Sequence, residues 1–335
     1  MTVAEITYRE AVRQALREEM LRDERVFLLG EDIGRYGGSY AVTKGLLEEF
    51  GEKRVRDTPI SETAIIGAAA GAAMDGLRPV AEIMTINFTL VAIDQIINNV
   101  AKIHYMFGGQ FRCPIVIRTV GGGRRLAATH SQNLEVLFAH IPGLKVVAPA
   151  TPYDAKGLLK ASIRDEDPVV FIEHALLYGT RGEVPDEEYV VPIGVSDIKR
   201  RGRDVTIVAY SRMTREALIA AEELAKQGIE AEVVDLRTLR PLDMGPVLDS
   251  VARTNRVVVV GEDWRSFGIG AEVASRIQEE AFDDLDAPVL RVNQQEVPTP
   301  YAANLERLAF PSSQQIVEAC LEVLNIRVGA SVAAG

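Results

Sequence analysis

Short apolar runs alternate with helix-like stretches along almost the whole chain. The strand-like runs are rich in Val, Ile and Leu and are bounded by Gly, Pro and charged residues; in the first half they are VFLLG (26–30), RPVAEI (78–83), PIVIRTV (114–120), LKVVAPA (144–150) and PVVFIEH (168–174). Strands that are apolar along most of their length are typical of a parallel sheet covered by helices on both faces. The alternation therefore predicts an α/β fold.

The alternation stops once, and this break suggests two domains. Residues 175–203 hold Gly, Pro and mixed charge without helical periodicity, and the pattern resumes with DVTIVAY (204–210). A chain of 335 residues is also long enough for two domains. We predict a first α/β domain over 1–178, a linker over 179–203, a second α/β domain over 204–326 and a flexible tail over 327–335.

Charge and cysteine usage restrict the partners and the compartment. The net charge of −11 argues against nucleic acid and anionic membranes as partners. Cys113 and Cys320 are far apart and match no metal-ligand spacing, which favours a reducing cytoplasmic location. The N-terminus does not resemble a signal or transit peptide, and no apolar run is long enough to span a membrane.

Several common chemistries do not fit the motifs present. Neither Gly121–Gly123 nor the Gly268/Gly270 pair has the spacing and the strand-to-helix position of a dinucleotide-binding fingerprint. We find no P-loop, and the serines lack the context of a nucleophile elbow. The four histidines show no metal-ligand spacing, so a zinc site is not predicted.

One carboxylate stands at the start of a helix with almost no side-chain bulk. In DTPISETAIIGAAAGAAMDG (57–76), Ser61 and Glu62 precede a run of Ala, Gly and Ile. Ser61 as an N-cap and Glu62 as a partner of the helix dipole explain the pair without any function. The small residues, however, predict a buried, closely packed helix that suits a subunit contact, and a carboxylate at the end of such a helix is a functional candidate.

Other isolated polar residues lie where strands end and helices begin. They are Glu62, Asn87, His130, Ser131 and Gln132. Active sites of open α/β proteins gather at the carboxyl ends of the strands. We expect His130 to begin a helix after the GGGRRLAAT loop, where it is equally well explained as a cap or a surface residue. Phe88 begins another predicted helix and is more simply explained as a core residue.

The chain as a whole resembles a known family. The stretches that carry the resemblance are RVFLLGEDIG, RVRDTPISE, GAAAGAAMDGLRPVAEIMTINF, AIDQIINNVAK, ATHSQ, PGLKVVAPATPYDAKGLLKASIRDEDPVV, VDLRTLRPLD and LDAPVLRV. They closely resemble beta subunits of the thiamine-diphosphate-dependent decarboxylase component of pyruvate dehydrogenase complexes, from about Thr7 to Asn325. The resemblance implies a transketolase-like pyrimidine-binding domain followed by a transketolase C-terminal-like domain.

The resemblance also implies roles for individual residues. Glu62 would face the aminopyrimidine ring of thiamine diphosphate and help to activate it. Phe88 would pack on that ring with Met84 nearby, and His130 would lie at the entrance of the site, where acyl transfer to lipoyl occurs. Some family members bind a structural potassium ion through carbonyls; the equivalent positions here are Ile115, Ser162, Ile163, Asp165 and Asp167. Asp167 replaces the more usual asparagine, and the Arg124–Arg125 pair gives the glycine-rich loop a charge that its relatives need not share.

An absent motif implies a partner. Thiamine enzymes usually hold the diphosphate through magnesium, with a GDG motif, and the sequence contains no GDG. The resemblance therefore implies a separate alpha subunit that holds magnesium, a heterotetramer of two alpha and two beta chains, and a lipoyl acyltransferase core as further partner. The expected activity is that of a pyruvate dehydrogenase (acetyl-transferring). A branched-chain 2-oxo acid or acetoin dehydrogenase is the alternative, a non-catalytic scaffold subunit is less favoured, and the missing GDG argues against a self-contained transketolase.

Overall fold

The computed structural model describes residues 2–123 and 126–326. The Arg124–Arg125 pair and the predicted tail at 327–335 lie outside the described residues. The chain divides into two compact units, each taken separately below. The first unit comprises residues 1–195, 237–242 and 298–302, and the second comprises 196–236, 243–297 and 303–335.

The first unit is built on a seven-stranded sheet. Its strands are β2 (Val26–Gly30), β3 (Val55–Asp57), β4 (Arg78–Ile83), β5 (Val116–Gly121), β6 (Lys145–Val147), β7 (Val169–His174) and β12 (Thr238–Arg240). The order across the sheet is β12-β6-β7-β5-β4-β2-β3. All neighbours are parallel except β12, which runs antiparallel to β6. The terminal strand β1 (Val3–Thr7) pairs antiparallel with β8 (Arg181–Pro185) in a separate ribbon.

Two helices of the first unit begin at a side chain that caps them. The helices of this unit are α1 (Tyr8–Arg22), α2 (Leu46–Phe50), α3 (Glu62–Met74), α4 (Ile103–Met106), α5 (Glu135–Ala139) and α6 (Pro152–Arg164). Thr7 and Glu10 form a complete capping box at the start of α1. Thr151 caps α6, and a proline takes its first position. The apolar faces of α1 and α6 pack with β2, β5 and β7 in one core cluster.

The second unit repeats the same layered plan with five strands. These are β9 (Asp197–Arg200), β10 (Val205–Ala209), β11 (Ala231–Asp235), β13 (Val257–Trp264) and β14 (Leu290–Gln294), in the order β14-β13-β10-β11-β9. Only β9 is antiparallel to its neighbour. The helices are α7 (Arg212–Ala225), α8 (Gly245–Thr254), α9 (Ile269–Glu280), α10 (Ala303–Ala309) and α11 (Ser313–Val323). None of the helices in the described part of the chain is long and apolar enough to cross a membrane.

The predicted α/β class with two mainly parallel sheets is confirmed, but some predicted elements differ. The helix expected from Phe88 to His104 is broken into a 3-10 turn (Ile86–Leu90), a π-helical segment (Gln95–Val100) and α4. Thr89 donates its hydroxyl proton to the carbonyl of Ile86, and such local side-chain bonds compete with a regular helix. Residues 179–203, predicted as a linker with a hairpin or two, contain β8 and β9, which pair with β1 and β11 rather than with each other.

Candidate functional site

The parallel register brings four chain segments to one edge of the seven-stranded sheet. Glu31 follows β2, Met84 follows β4, the loop 122–132 follows β5, and His174 ends β7. Because β2, β4, β5 and β7 are consecutive parallel neighbours, their carboxyl ends lie side by side. This edge is where ligands bind in open α/β folds. The sequence analysis placed candidate residues in two of these segments, those after β4 and β5, and singled out neither Glu31 nor His174.

Phe88 and His130 meet at this edge. Their ring centroids are 5.2 Å apart and the planes are nearly perpendicular, at 89°. This edge-to-face arrangement is a favourable aromatic geometry. Phe88 is half-buried, so part of its ring remains open for a further contact. The prediction that His130 begins a helix is wrong, because the chain turns from 128 to 131 and α5 begins only at Glu135.

The other predicted catalytic residue, Glu62, is the first residue of α3 and is buried, with 6 % of its surface exposed. The predicted capping role of Ser61 is wrong, since its side chain makes no hydrogen bond to the helix terminus. The neighbouring Thr63 donates its hydroxyl proton to the carbonyl of Val91 at 2.8 Å. That bond ties the first turn of α3 to the chain directly after the turn that carries Phe88. Behind Glu62, α3 buries Ile65, Ile66, Ala69, Ala70 and Ala73 but exposes Ala64, Ala68 and Gly71, so within this chain only one face of the helix is covered.

Glu31 adds a second buried carboxyl group beside Glu62. Burial raises the pKa of Glu31, and the negative charges of Glu62, Asp32 and Glu82 raise it further. The edge therefore carries an excess of negative charge that favours protons or positively charged groups. Glu31 stands directly after an apolar strand in LLGED, and the rule that sites lie at the carboxyl ends of strands would have identified it.

A buried ionic network joins the strands just inside this edge. Arg118 of β5 forms ion pairs with Glu82 of β4 and with Glu173 of β7, and it donates to Glu173 Oε2 at 2.9 Å. Its Nη2 also lies 3.4 Å from the hydroxyl oxygen of Tyr178. Burial raises the pKa of Glu82, and the positive charge of Arg118 opposes that shift. The network fixes three strands whose ends carry Met84, the 122–132 loop and His174.

The hydrogen bonds of the Asn87 side chain indicate which kind of ligand would fit at this sheet edge. Its amide nitrogen donates to Thr85 Oγ1 at 2.6 Å, while its buried Oδ1 finds no hydrogen-bond partner among the residues that the structure describes. Buried polar atoms without partners are rare in folded proteins. A buried acceptor one residue before Phe88, together with half-buried Met84, suits a flat ligand with an apolar face and hydrogen-bond donors on its rim.

Four of the five predicted potassium ligands lie at the end of α6 and just after it, and all five offer only oxygen. They are Ile115, before β5, and Ser162, Ile163, Asp165 and Asp167, at the end of α6 and after it. Arg78 donates to the carbonyls of Ile163 and Asp165, both at 3.0 Å, and the Lys145 ammonium lies 2.7 Å and 2.8 Å from the carboxylate oxygens of Asp165. A carbonyl oxygen has two lone pairs, so one hydrogen bond does not exclude a cation. The donor set is compatible with potassium, which stays a prediction. Within residues 2–123 and 126–326, no group of three or more His, Cys, Asp and Glu residues is arranged to hold a metal ion.

The loop from 122 to 132 is held at both ends. The Gly122 N–H donates to the carbonyl of Gln132 at 3.2 Å, and the Leu126 N–H donates to Ser131 Oγ at 3.3 Å. The hydroxyl of Thr299 donates to the Ser131 carbonyl at 2.8 Å. Ser131 and Gln132, which the sequence marked as candidates, therefore shape the loop that presents His130.

Fold and site together define a transketolase-like protein. Residues 4–180 match the family described as "Transketolase, pyrimidine binding domain", and residues 194–316 match "Transketolase, C-terminal domain". A solved structure titled "Split gene transketolase, inactive beta4 tetramer" is similar with a TM-score of 0.78 and 26 % identity, covering 96 % of this chain and 99 % of that chain.

Sequence comparison narrows the class. The chain is 50 % identical over 320 residues to "Pyruvate dehydrogenase E1 component subunit beta" of Rickettsia felis, covering 95 % of this chain and 98 % of the relative. It is 52 % identical over 320 residues to "Pyruvate dehydrogenase E1 component subunit beta-2, mitochondrial" of Oryza sativa subsp. japonica, covering 94 % and 85 %. Against the mitochondrial beta subunit of Drosophila melanogaster it is 48 % identical over 340 residues, covering 100 % and 93 %. The chain belongs to the family of pyruvate dehydrogenase E1 component beta subunits.

Proposed function

We propose that this chain is the beta subunit of a pyruvate dehydrogenase (acetyl-transferring), which decarboxylates pyruvate on thiamine diphosphate and acetylates the lipoyl group of an acyltransferase. The observation that carries the proposal is the identity of about one half to beta subunits of this name over nearly the whole chain. The convergence of Glu62, Phe88 and His130 around one sheet edge supports an active site within this chain rather than a non-catalytic scaffold.

Glu62 is the proposed proton-exchanging residue. Its buried carboxyl group, at the start of α3, would exchange a proton with ring nitrogen N1′ of the aminopyrimidine when the cofactor is bound. Thiamine diphosphate, when bound, supplies the electron sink for the loss of carbon dioxide. Glu31 supports this role, because burial and the negative charge of Glu62 raise the pKa of Glu31 and so favour a protonated carboxyl group beside Glu62.

Phe88 and His130 are the proposed binding and transfer residues. Phe88 offers its half-buried ring to the pyrimidine, with Met84 beside it. The Oδ1 of Asn87, which has no hydrogen-bond partner within the described part of the chain, supplies a nearby acceptor. His130 lies against the Phe88 ring on a loop, a place from which it orients the lipoyl group during acyl transfer.

The site requires a second subunit. No GDG motif is present in the sequence, so we assign the diphosphate and its magnesium ion to an alpha subunit, in an assembly of two alpha and two beta chains. The solved relative described as an "inactive beta4 tetramer" supports the idea that a beta-type chain of this fold is inactive by itself. Reduced, buried Cys113 and Cys320 support a cytoplasmic location.

Substrate choice is tested by co-expression with the alpha subunit. The assembled enzyme is assayed with pyruvate, with branched-chain 2-oxo acids and with acetoin under the same conditions. We expect the highest kcat/KM for pyruvate. A higher value for branched-chain 2-oxo acids or acetoin would assign the chain to one of those dehydrogenases instead.

A further inference from the structure

His174 is a buried histidine that the proposed mechanism does not use. It ends β7, with 2 % of its surface exposed, and its Nδ1 accepts a hydrogen bond from the Leu176 N–H at 3.1 Å. This bond makes Nδ1 the acceptor and leaves the opposite edge of the ring, with Nε2, facing away from Leu176. The bond to Leu176 caps the 3-10 turn Ala175–Leu177 and fixes the orientation of the ring.

The opposite edge of this ring lies against the start of the 122–132 loop. Gly121 and His174 are directly paired across β5 and β7. A Cβ atom built on Gly122 would overlap Nε2 and Cδ2 of His174 and lie 2.7 Å from Cε1. The backbone of Gly122 has a φ of +89°, a left-handed conformation that favours glycine. The ring and the glycine backbone are therefore in close complementary contact at the point where the chain leaves the sheet.

We infer that His174 is a positioning residue for His130, acting through this loop. The ring edge is the surface on which the loop begins, and the Gly122-to-Gln132 hydrogen bond closes the loop two residues after His130. Without the edge, Gly122 can move toward the vacated space and the loop loses one of its two fixed ends. The consequence for acyl transfer rests on the proposed role of His130; the consequence for the order of the loop does not.

An asparagine separates two of the contacts of His174, the bond to Leu176 and the packing against Gly122. The Oδ1 of asparagine stands at the same number of bonds from the backbone as Nδ1 of histidine, so His174→Asn keeps the acceptor for Leu176 and removes the edge against Gly122. His174→Ala removes both contacts. His140→Asn is the matched control, because His140 is exposed and lies outside the 122–132 loop.

The experiment uses the assembled alpha–beta enzyme with its acyltransferase. Hydrogen–deuterium exchange is measured on a peptide spanning 120–133, and decarboxylation with an artificial electron acceptor is compared with transfer to lipoyl. We expect about tenfold faster exchange at Gly122 in both His174 variants and no change in His140→Asn. We expect transfer to fall about tenfold, within the ~10²-fold that a 1 Å misplacement can cost, with decarboxylation within about twofold of wild type. His130→Ala combined with His174→Asn should transfer no more slowly than His130→Ala alone, a non-additivity that a general loss of stability would not produce.

Each outcome decides a separate question. Unchanged exchange at Gly122 in both His174 variants overturns the inference, whatever the activity. Faster exchange combined with normal transfer in both His174→Asn and His130→Ala leaves the loop contact established and refutes the proposed role of His130. Additive losses in the double variant would show that His174 does not act through His130 and would overturn the inference.

Discussion

Replacement of Glu62 by glutamine tests whether its carboxyl group has a catalytic role or only a structural one. Glutamine keeps the shape of the side chain and can still touch N1′, but it cannot exchange a proton there. Loss of one general acid–base group typically lowers the rate by roughly 10²–10⁴. That loss corresponds to about 3–5 kcal/mol of activation free energy.

The expected effect on stability is much smaller. A carboxylate in the first helical turn contributes about 0.3–1 kcal/mol through the helix dipole, and Ser61 makes no capping bond that depends on it. The substitution also removes a negative charge that raises the pKa of Glu31, which is a stabilising change of opposite sign. The two contributions leave a net change in unfolding free energy within ~1 kcal/mol, or about 2–4 °C in Tm for a domain of this size.

The assay is the exchange of the thiazolium C–H proton for deuterium in the assembled enzyme, read beside Tm. Glu10→Gln is a suitable control, because Glu10 also lies in the first turn of a helix and accepts from the Thr7 N–H at 2.8 Å. We expect the control to lose stability, since its carboxylate completes a capping box, and to exchange the proton normally. If Glu62→Gln exchanges the proton as fast as wild type, the carboxyl group serves only the helix and the proposed role of Glu62 is wrong.

Four further outcomes test other parts of the reasoning. The chain purified alone should bind thiamine diphosphate weakly and decarboxylate nothing, and magnesium-dependent turnover by the isolated chain would contradict the half-site proposal. His130→Ala should reduce transfer to lipoyl more than decarboxylation; equal losses with an artificial acceptor and with the full complex would argue against a transfer role. Burial raises the pKa of Asp263 to about 6, above its value near 4 in an unfolded chain. Its contribution to the free energy of unfolding is therefore fully present below about pH 4, where the carboxyl group is protonated, and is lost as the pH rises through 6. The loss is on the order of 3 kcal/mol; unfolding measured from pH 4 to 7 should show this decline in wild type and not in Asp263→Asn. Replacing sodium with potassium in the buffer should raise Tm if the 162–167 turn binds potassium. An unchanged Tm would show that the turn does not bind the ion.

Much of the fold follows from local sequence signals. The strands 26–30 and 78–83 have the predicted bounds, because dense apolar runs specify them within a few residues. The break between Phe88 and His104 escaped prediction, since the apolar residues keep helical spacing while the side chains of Thr85, Asn87 and Thr89 bond locally. Periodicity reports which residues can face a core and does not report such competing bonds.

The candidate site is predictable only in part. Glu62 and His130 were candidates from their positions in the sequence, and Phe88 was a candidate through the family resemblance. The structure places the rings of Phe88 and His130 in contact, while the roles of all three residues stay predictions. The network of Arg118 with Glu82 and Glu173 was not predicted, because Arg118 lies 36 positions from Glu82 and 55 positions from Glu173 along the chain. Their proximity depends on the order β7-β5-β4, and a single sequence does not state which strands are neighbours.

The Oδ1 of Asn87, which has no hydrogen-bond partner among residues 2–123 and 126–326, implies a conflict between the stability of the chain and its function. A buried acceptor left without a donor lowers the free energy of unfolding by roughly 1–3 kcal/mol. The chain taken alone would therefore be more stable with an apolar residue of similar shape at this position. Selection for robustness by itself would remove the amide. A polar group kept at such a cost is the pattern expected where a protein is shaped for its occupied state, and efforts to make this subunit more heat-resistant should leave position 87 untouched.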